Sequence, residues 1–277
     1  MKLLYAIDFE SWVFPQENKF LNLSVAERKK LDNEYALRSG YELLELLANK
    51  KQTLTFFVIG QIYDWYPKLI SDIQSAGHEI AYHTYEHSIL KDCQILEQEL
   101  LKGQQFIRDF SIRGFQAPAI IFPSGGHAVL KKYGFDYSSS VYCANKKISN
   151  LDGVFEIPVS VLDYFVGQEK ELRPPMPMQF SKLFQGVPFG SSYFTALLGG
   201  GLTAKLLRTM EKRGHQFANL FIHNWQIFQP RGAAFPDRKY LLSHPSYLPY
   251  TRNIKREFEY LLDNFEFCRF RDYLQNQ

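Results

Sequence analysis

Short apolar runs alternate with longer stretches of helical period along most of the chain. Leu3-Leu4-Tyr5-Ala6-Ile7 is a continuous apolar run of the kind a strand buried on both faces requires. Over 31–50, Tyr41, Leu43, Leu44, Leu46 and Leu47 repeat at helical spacing. Further strands are expected at 53–59, 78–82, 112–116, 135–141, 154–161 and 219–222, with a short last one at 265–270. Helices are expected between them at 61–76, 90–110, 124–133, 203–213 and 252–264. Gly60, Gly77, Gly134 and Gly214 each close an element. Residues 11–31 read as a loop with a short helix, and 228–250 as a proline-containing loop. The stretch 166–191, with Arg173-Pro174-Pro175-Met176-Pro177, reads as a loop or lid. This alternation predicts an α/β fold with a parallel sheet core and outer helices, either barrel or doubly wound.

The polar residues that interrupt this pattern fall where strands end. Asp8 and Glu10 follow the first strand, His83 the third, Gln116 the fourth and His223 the strand at 219–222. In α/β barrels active sites assemble on that face. Asp8 and Glu10, two residues apart, point the same way on an extended chain. His83 and His87 are four apart, so a helical turn would let both rings reach one metal ion. His223 and Trp225 share a side if their strand persists.

Composition narrows the function classes. Of 277 residues, 45% are hydrophobic and 22% charged, which is globular. A net charge of +3 is too weak to argue for nucleic acid. Seventeen tyrosines and 24 phenylalanines supply a thick core and enough rings to line a cleft. Cys93, Cys143 and Cys268 are widely spaced, so no disulfide framework or paired-cysteine metal site follows, in keeping with a reducing compartment. No apolar run approaches the roughly 20 residues needed to span a bilayer, and no signal-peptide pattern is visible. The expected location is cytoplasmic.

Taken in order, Asp8-Phe9-Glu10, His83-x-x-x-His87, Gly114-Phe115-Gln116-Ala117-Pro118 and His223-x-Trp225 resemble the motifs of the polysaccharide deacetylase superfamily (NodB-type, carbohydrate esterase family 4). The resemblance runs over roughly residues 3–227. Val187 to Phe194 and the helices after it resemble segments of bacterial exopolysaccharide and lipopolysaccharide deacetylases. The resemblance implies a distorted (β/α)7-type barrel as a single domain over 1–277, with a lid at about 166–191 and a C-terminal extension from about 228. It implies one divalent metal, zinc, held by Glu10, His83 and His87. Asp8 is then the general base, His223 the general acid, and Trp225 lies near the sugar. The implied reaction removes an N-acetyl or other N-acyl group from a nucleotide-linked, lipid-linked or polymeric sugar in surface polysaccharide or lipopolysaccharide biosynthesis.

Two positions depart from that pattern. Many relatives carry Arg where this chain has Gln116, and a Gln gives the base a hydrogen bond without a charge. Relatives often carry Asp where Ser138 stands, supporting the acid histidine; Asp136, on the same face of the strand, is the expected stand-in. These departures leave open a carbohydrate-binding relative with weak or no turnover, a scaffold protein, and an amide hydrolase or deformylase on another small substrate. His78, His127, His215 and His244 are expected at surface or loop positions without a role.

Overall fold

The computed structural model of the chain describes residues 1–14, 23–144, 147–163, 171–172, 186–230, 241–242 and 245–276. Its centre is a curled sheet of eight strands. These are β1 (Lys2–Phe9), β2 (Thr55–Val58), β3 (Glu79–Tyr82), β4 (Gly114–Phe115), β5 (Tyr137–Ser138), β6 (Ser149–Leu151), β7 (Val154–Glu156) and β8 (Phe217–His223). They lie in the order β8-β1-β2-β3-β4-β5-β7-β6. Every neighbouring pair is parallel except the β6–β7 hairpin. The two ends approach each other through side chains and loops: on β8, Asn219 donates from Nδ2 to Ile157 O and Ser139 Oγ, both at 2.9 Å. The result is a half-barrel: the alternation left barrel and doubly wound sheets open, and the distorted barrel implied by the resemblance is the one formed.

The helices are α1 (Val25–Asp32), α2 (Tyr35–Lys50), α3 (Gly60–Trp65), α4 (Pro67–Ser75), α5 (Cys93–Lys102), α6 (Gln104–Asp109), α7 (Gly126–Lys132), α8 (Ser192–Lys212), α9 (Asn224–Ile227), α10 (Lys255–Asn264) and α11 (Phe270–Gln275). Strand parity decides what faces them. Tyr5, Ile7 and Phe9 of β1 join an outer core with Leu43, Leu47 and Leu69 of the helices. Leu4 and Ala6 point inward, with Phe57, Ala81, Phe217 and Phe221. Phe270 and Tyr273 of α11 seal that inner cluster from below. Burying each such aromatic contributes roughly 1.5–3 kcal/mol. One step further along the same columns lie Asp8 after Ala6, His83 after Ala81 and His223 after Phe221. Period two thus sets three polar residues on top of an apolar plug.

Several elements differ from the expected ones for local reasons. The helix expected at 61–76 breaks at Tyr66 (φ −141°), because Pro67 has no N–H and disfavours helical backbone before it. The helix expected at 90–110 starts at Cys93, where Asp92 accepts from Ile95 N–H, and splits at Gly103. A side chain at Gly103 would collide with Tyr82, whose hydroxyl donates to Glu99 O at 2.6 Å. The helix expected from 203 starts at Ser192 and kinks at Gly199 (φ 77°). The strands expected at 135–141 and 154–161 are each interrupted. The expected strand at 265–270 reduces to a single bridge, Leu4 to Cys268, before α11 begins.

The lid expected at 166–191 lies outside the described residues except for 171–172 and 186–191. There Gly186–Val187 pairs antiparallel with Leu162–Asp163. The C-terminal segment is woven into the barrel: Phe258 of α10 packs edge-on against Tyr5, and α11 forms the floor. Among the described residues Cys93 and Cys268 are free thiols, and no helix is long and apolar enough to cross a membrane.

Candidate metal centre

The rim of the inner face brings Asp8, Glu10, His83, His87 and His223 together from three strand ends. β1 and β8 are in register at Asp8 and His223. His83 N–H donates to Val58 O of β2 at 3.0 Å, which fixes the end of β3. Glu10 is held at two points, one of them anchored further by Ser39. Its N–H donates to Asn224 Oδ1 at 3.0 Å, Asn224 Nδ2 donates to Ser39 Oγ at 3.0 Å, and Trp225 Nε1 donates to Glu10 Oε2 at 3.2 Å. Glu10 Oε1 is then 3.3 Å from His83 Nε2 and 3.2 Å from His87 Nε2.

The two histidines do not meet on a helix. Residues 83–90 are irregular, and Thr84 (φ 65°) and His87 (φ 62°) both adopt left-handed backbone. Non-glycine residues held in that region are strained and concentrate at functional sites. The spacing of four therefore brings the rings together through a tight loop and not through helical periodicity.

These residues fit a divalent cation. Glu10 and His83 are each 1% exposed, yet Glu10 Oε1 and His83 Nε2 make no hydrogen bond. Leaving such buried polar atoms unpaired is costly, and a shared cation satisfies both. His83 Nδ1 contacts Gln116 O at 3.0 Å, so the proton sits on Nδ1 and the Nε2 lone pair faces Glu10. Ligands about 2.1 Å from a tetrahedral ion stand roughly 3.4 Å apart, close to the spacing here. A second grouping, Asp8, Glu10 and His223, shares Glu10 but is looser. His223 Nε2 lies 3.8 Å from Asp8 Oδ2 and 3.9 Å from Glu10 Oε1.

Burial and mutual charge separate the two carboxylates. Desolvation pushes Asp8 well above the usual carboxylate range; Glu10 adds to this and His87 opposes it. Glu10 feels the same desolvation, but His87, His223 and His83 together bring it well below that range. Desolvation lowers both His83 and His223, with Glu10 pulling each the other way.

The supporting residues differ in part from expectation. Gln116, fully buried, lies against Asp8; with its amide nitrogen toward the carboxylate it donates to Oδ1 at 2.5 Å and Oδ2 at 3.0 Å. Arg113 does not substitute for it, because it is exposed and donates to Gly134 O. Asp136 is exposed and does not stand in for the carboxylate absent at Ser138. Ser138 instead donates to Ser140 Oγ at 2.8 Å. The His223 ring is held at Nδ1 by Gln226 Oε1 at 2.9 Å and Ser192 Oγ at 3.0 Å, two neutral groups. The strand ends at His223, so Trp225 lies in α9, only 3% exposed, stacked on His223 at 4.5 Å and bonded to Glu10. It packs on His223, bonds Glu10 and presents no open face to solvent. Open faces come from tyrosines that the sequence reading missed. Tyr250 packs against Tyr193 at 5.3 Å, Tyr247 at 5.8 Å and His223 at 6.2 Å, and all three tyrosines remain partly exposed. Gln226 was within reach of sequence reasoning as the residue one helical turn after His223; Ser192 and Tyr250 carried no local signal.

The other histidines are more buried than expected. His78 and His215 are 3% and 5% exposed, and His127 contacts Glu156 Oε2 at 2.9 Å. His244 lies outside the described residues.

Residues 38–137 match the family model for polysaccharide deacetylase. Over that stretch the chain is similar to the polysaccharide deacetylases. The segment carries His83, His87 and Gln116; the sheet brings Asp8, Glu10 and His223 to it from outside. The chain is 36% identical over 83 residues to a chitooligosaccharide deacetylase of Sinorhizobium fredii, covering 28% of this chain and 39% of that protein. It is 27% identical over 128 residues to a peptidoglycan-N-acetylglucosamine deacetylase of Bacillus cereus, covering 46% and 55%. It thus matches about half or less of the length of these curated relatives. Its fold is similar to that of a Mycobacterium smegmatis protein named for the polysaccharide deacetylases, with TM-score 0.60 at 21% identity over 89% of this chain and 84% of that one.

Proposed function

We propose that the chain is a divalent-metal-dependent hydrolase that removes an acetyl or other small acyl group from the amino group of a sugar. The observation that carries this reading is the convergence of Glu10, His83 and His87, with Glu10 Oε1 and His83 Nε2 buried and without a hydrogen bond, flanked by Asp8 and His223. The polysaccharide deacetylase match and the printed names of the relatives support the sugar amide as substrate.

A divalent cation, which we assign as zinc from the two imidazoles and one carboxylate, would polarise an acyl carbonyl and make nearby water more acidic. The chain's own residues supply the proton transfers. Asp8, oriented by Gln116, takes a proton from the attacking water. His223, fixed at Nδ1 by Gln226 and Ser192, presents Nε2 on the opposite side of the carboxylates and delivers a proton to the departing amine. The carboxylates near Nε2 favour its protonated form. Tyr193, Tyr247 and Tyr250 offer amphipathic rings on which a sugar can lie. We place the substrate among precursors of surface polysaccharide or lipopolysaccharide, nucleotide-linked or lipid-linked.

The test is an acetate- and formate-release screen with purified, zinc-loaded protein on N-acyl sugars of those classes. Release that disappears in Asp8→Asn supports the reading. Stoichiometric metal with no release from any N-acyl sugar sinks it. That outcome would favour a sugar-binding relative without turnover, a reading suggested by Gln116, which gives Asp8 hydrogen bonds but no counter-charge.

A further inference from the structure

We propose that Glu99 is the positioning residue that sets the distance between His83 and His87, acting through the backbone amides between them. The proposal rests on the metal reading above. In a helical His-x-x-x-His pair the intervening N–H groups would be satisfied by carbonyls four residues earlier. Here the loop is not helical, and the N–H groups of Tyr85 and Glu86 need another acceptor. Glu99 of α5, 1% exposed, provides it: Oε2 accepts from Tyr85 N–H and from Glu86 N–H, both at 2.9 Å. Its other oxygen accepts from Lys102 Nζ at 3.2 Å, and Lys102 also donates to Glu86 Oε1 at 3.0 Å. One carboxylate therefore ties together both residues at the centre of the loop.

The loop is held from the opposite side as well. Gly60 N–H donates to Thr84 O at 2.9 Å and Gln61 N–H to Tyr85 O at 3.1 Å, so the loop's carbonyls cap the first turn of α3. The approach is close enough that a Cβ on Gly60 would stand 2.6 Å from Tyr85 Cδ2 and 3.2 Å from Tyr85 Cα. Carbonyls pinned by α3 and amides pinned by Glu99 hold Thr84 and His87 in left-handed backbone. That strained conformation is what turns both imidazoles toward Glu10.

The experiment is a zinc dissociation constant, by chelator competition, for the full chain and for Glu99→Ala, Glu99→Gln and Gly60→Ala, with thermal unfolding of each metal-free protein alongside. Removing partners behind metal ligands typically costs 10–100-fold in affinity. We expect Glu99→Ala to weaken zinc by about that factor, and Glu99→Gln, which keeps one acceptor oxygen, to recover most of it. Gly60→Ala displaces the same loop from the other face and weakens zinc too. Should Glu99→Ala not fold, the other two variants decide. Folded variants that bind zinc like the original chain while only their unfolding temperature falls overturn the proposal and leave the metal reading standing. An original chain that binds no zinc overturns both.

Discussion

Glu79 at the floor of this barrel and Glu10 at its rim are both buried carboxylates on its inner side, and their surroundings treat them in opposite ways. Glu79 accepts from Thr55 Oγ1 at 2.7 Å, Tyr137 OH at 2.9 Å and Arg271 N–H at 3.1 Å. Both of its oxygens are engaged, and it ties α11 to the sheet. Glu10 is equally buried, yet Oε1 has only imidazole nitrogens beside it and no hydrogen bond. β3 makes the contrast sharp, because Glu79 and His83 point inward from the two ends of the same strand. Burial alone therefore does not mark a site. A buried acid whose lone pairs are all met is a structural tie, and one left open beside imidazole nitrogens is a place for a cation.

The largest expected effect separates the two ends outright. His83→Ala removes a ligand at the rim and lowers zinc affinity and deacetylation by at least about 100-fold. Unfolding of the metal-free protein shifts by only about 1 kcal/mol, through the lost contact of His83 Nδ1 with Gln116 O, because Nε2 makes no hydrogen bond. Glu79→Ala should do the reverse. It strands three donors and destabilises the fold by about 3–5 kcal/mol in denaturant titration, while zinc affinity in the folded state is unchanged. If Glu79→Ala weakened zinc as much as His83→Ala, the division into floor and rim would collapse.

A smaller effect belongs to His78, next to Glu79 in sequence. Its Nδ1 accepts from Leu54 N–H at 3.2 Å, and burial, followed by the Arg269 charge, lowers its pKa from 6.5 to about 4. The unfolded chain binds this proton first as pH falls. The stabilising contribution is therefore complete above about pH 6.5 and is lost down to about pH 4, to the extent of about 3 kcal/mol. Unfolding free energies measured across that range should show the loss, and His78→Asn, which retains an acceptor, should flatten it. A slope unchanged by that substitution would remove His78 from the account.

The smallest shift is expected from Gln116→Arg. Asp8 must be ionised to act as base, so activity falls as pH drops through its pKa. Burial and Glu10 raise that pKa, and a guanidinium opposes both. The acid limb of kcat/KM should move down by about one pH unit. An unmoved limb contradicts the role given to Gln116.

Much of this was legible in the chain, and what was not has identifiable causes. Asp8, His83 and His223 were expected on one face because each follows an apolar run, and the C-terminal ends of parallel strands share a face. The closeness of His83 and His87 was foreseen for a different backbone, since left-handed φ at Thr84 and His87 has no signature in residues that are not glycine. Trp225 was expected at the sugar because the strand was extended two residues too far; α9 turns it onto Glu10 instead. Asp136 was expected on the face of Ser138 by parity, but β5 begins at Tyr137 and Asp136, just before it, is exposed. Ser192 and Glu99 act between elements, and only the folded chain brings Ser192 to His223 and Glu99 to the Tyr85 and Glu86 amides.

The central claim is that the rim holds a metal and the floor does not need one. Titration of the metal-free chain with zinc against a chelator tests it most directly. The account predicts saturation at one zinc per chain, abolished in Glu10→Ala and preserved in Glu79→Gln. Absence of saturable binding, or binding that survives Glu10→Ala unchanged, would contradict it.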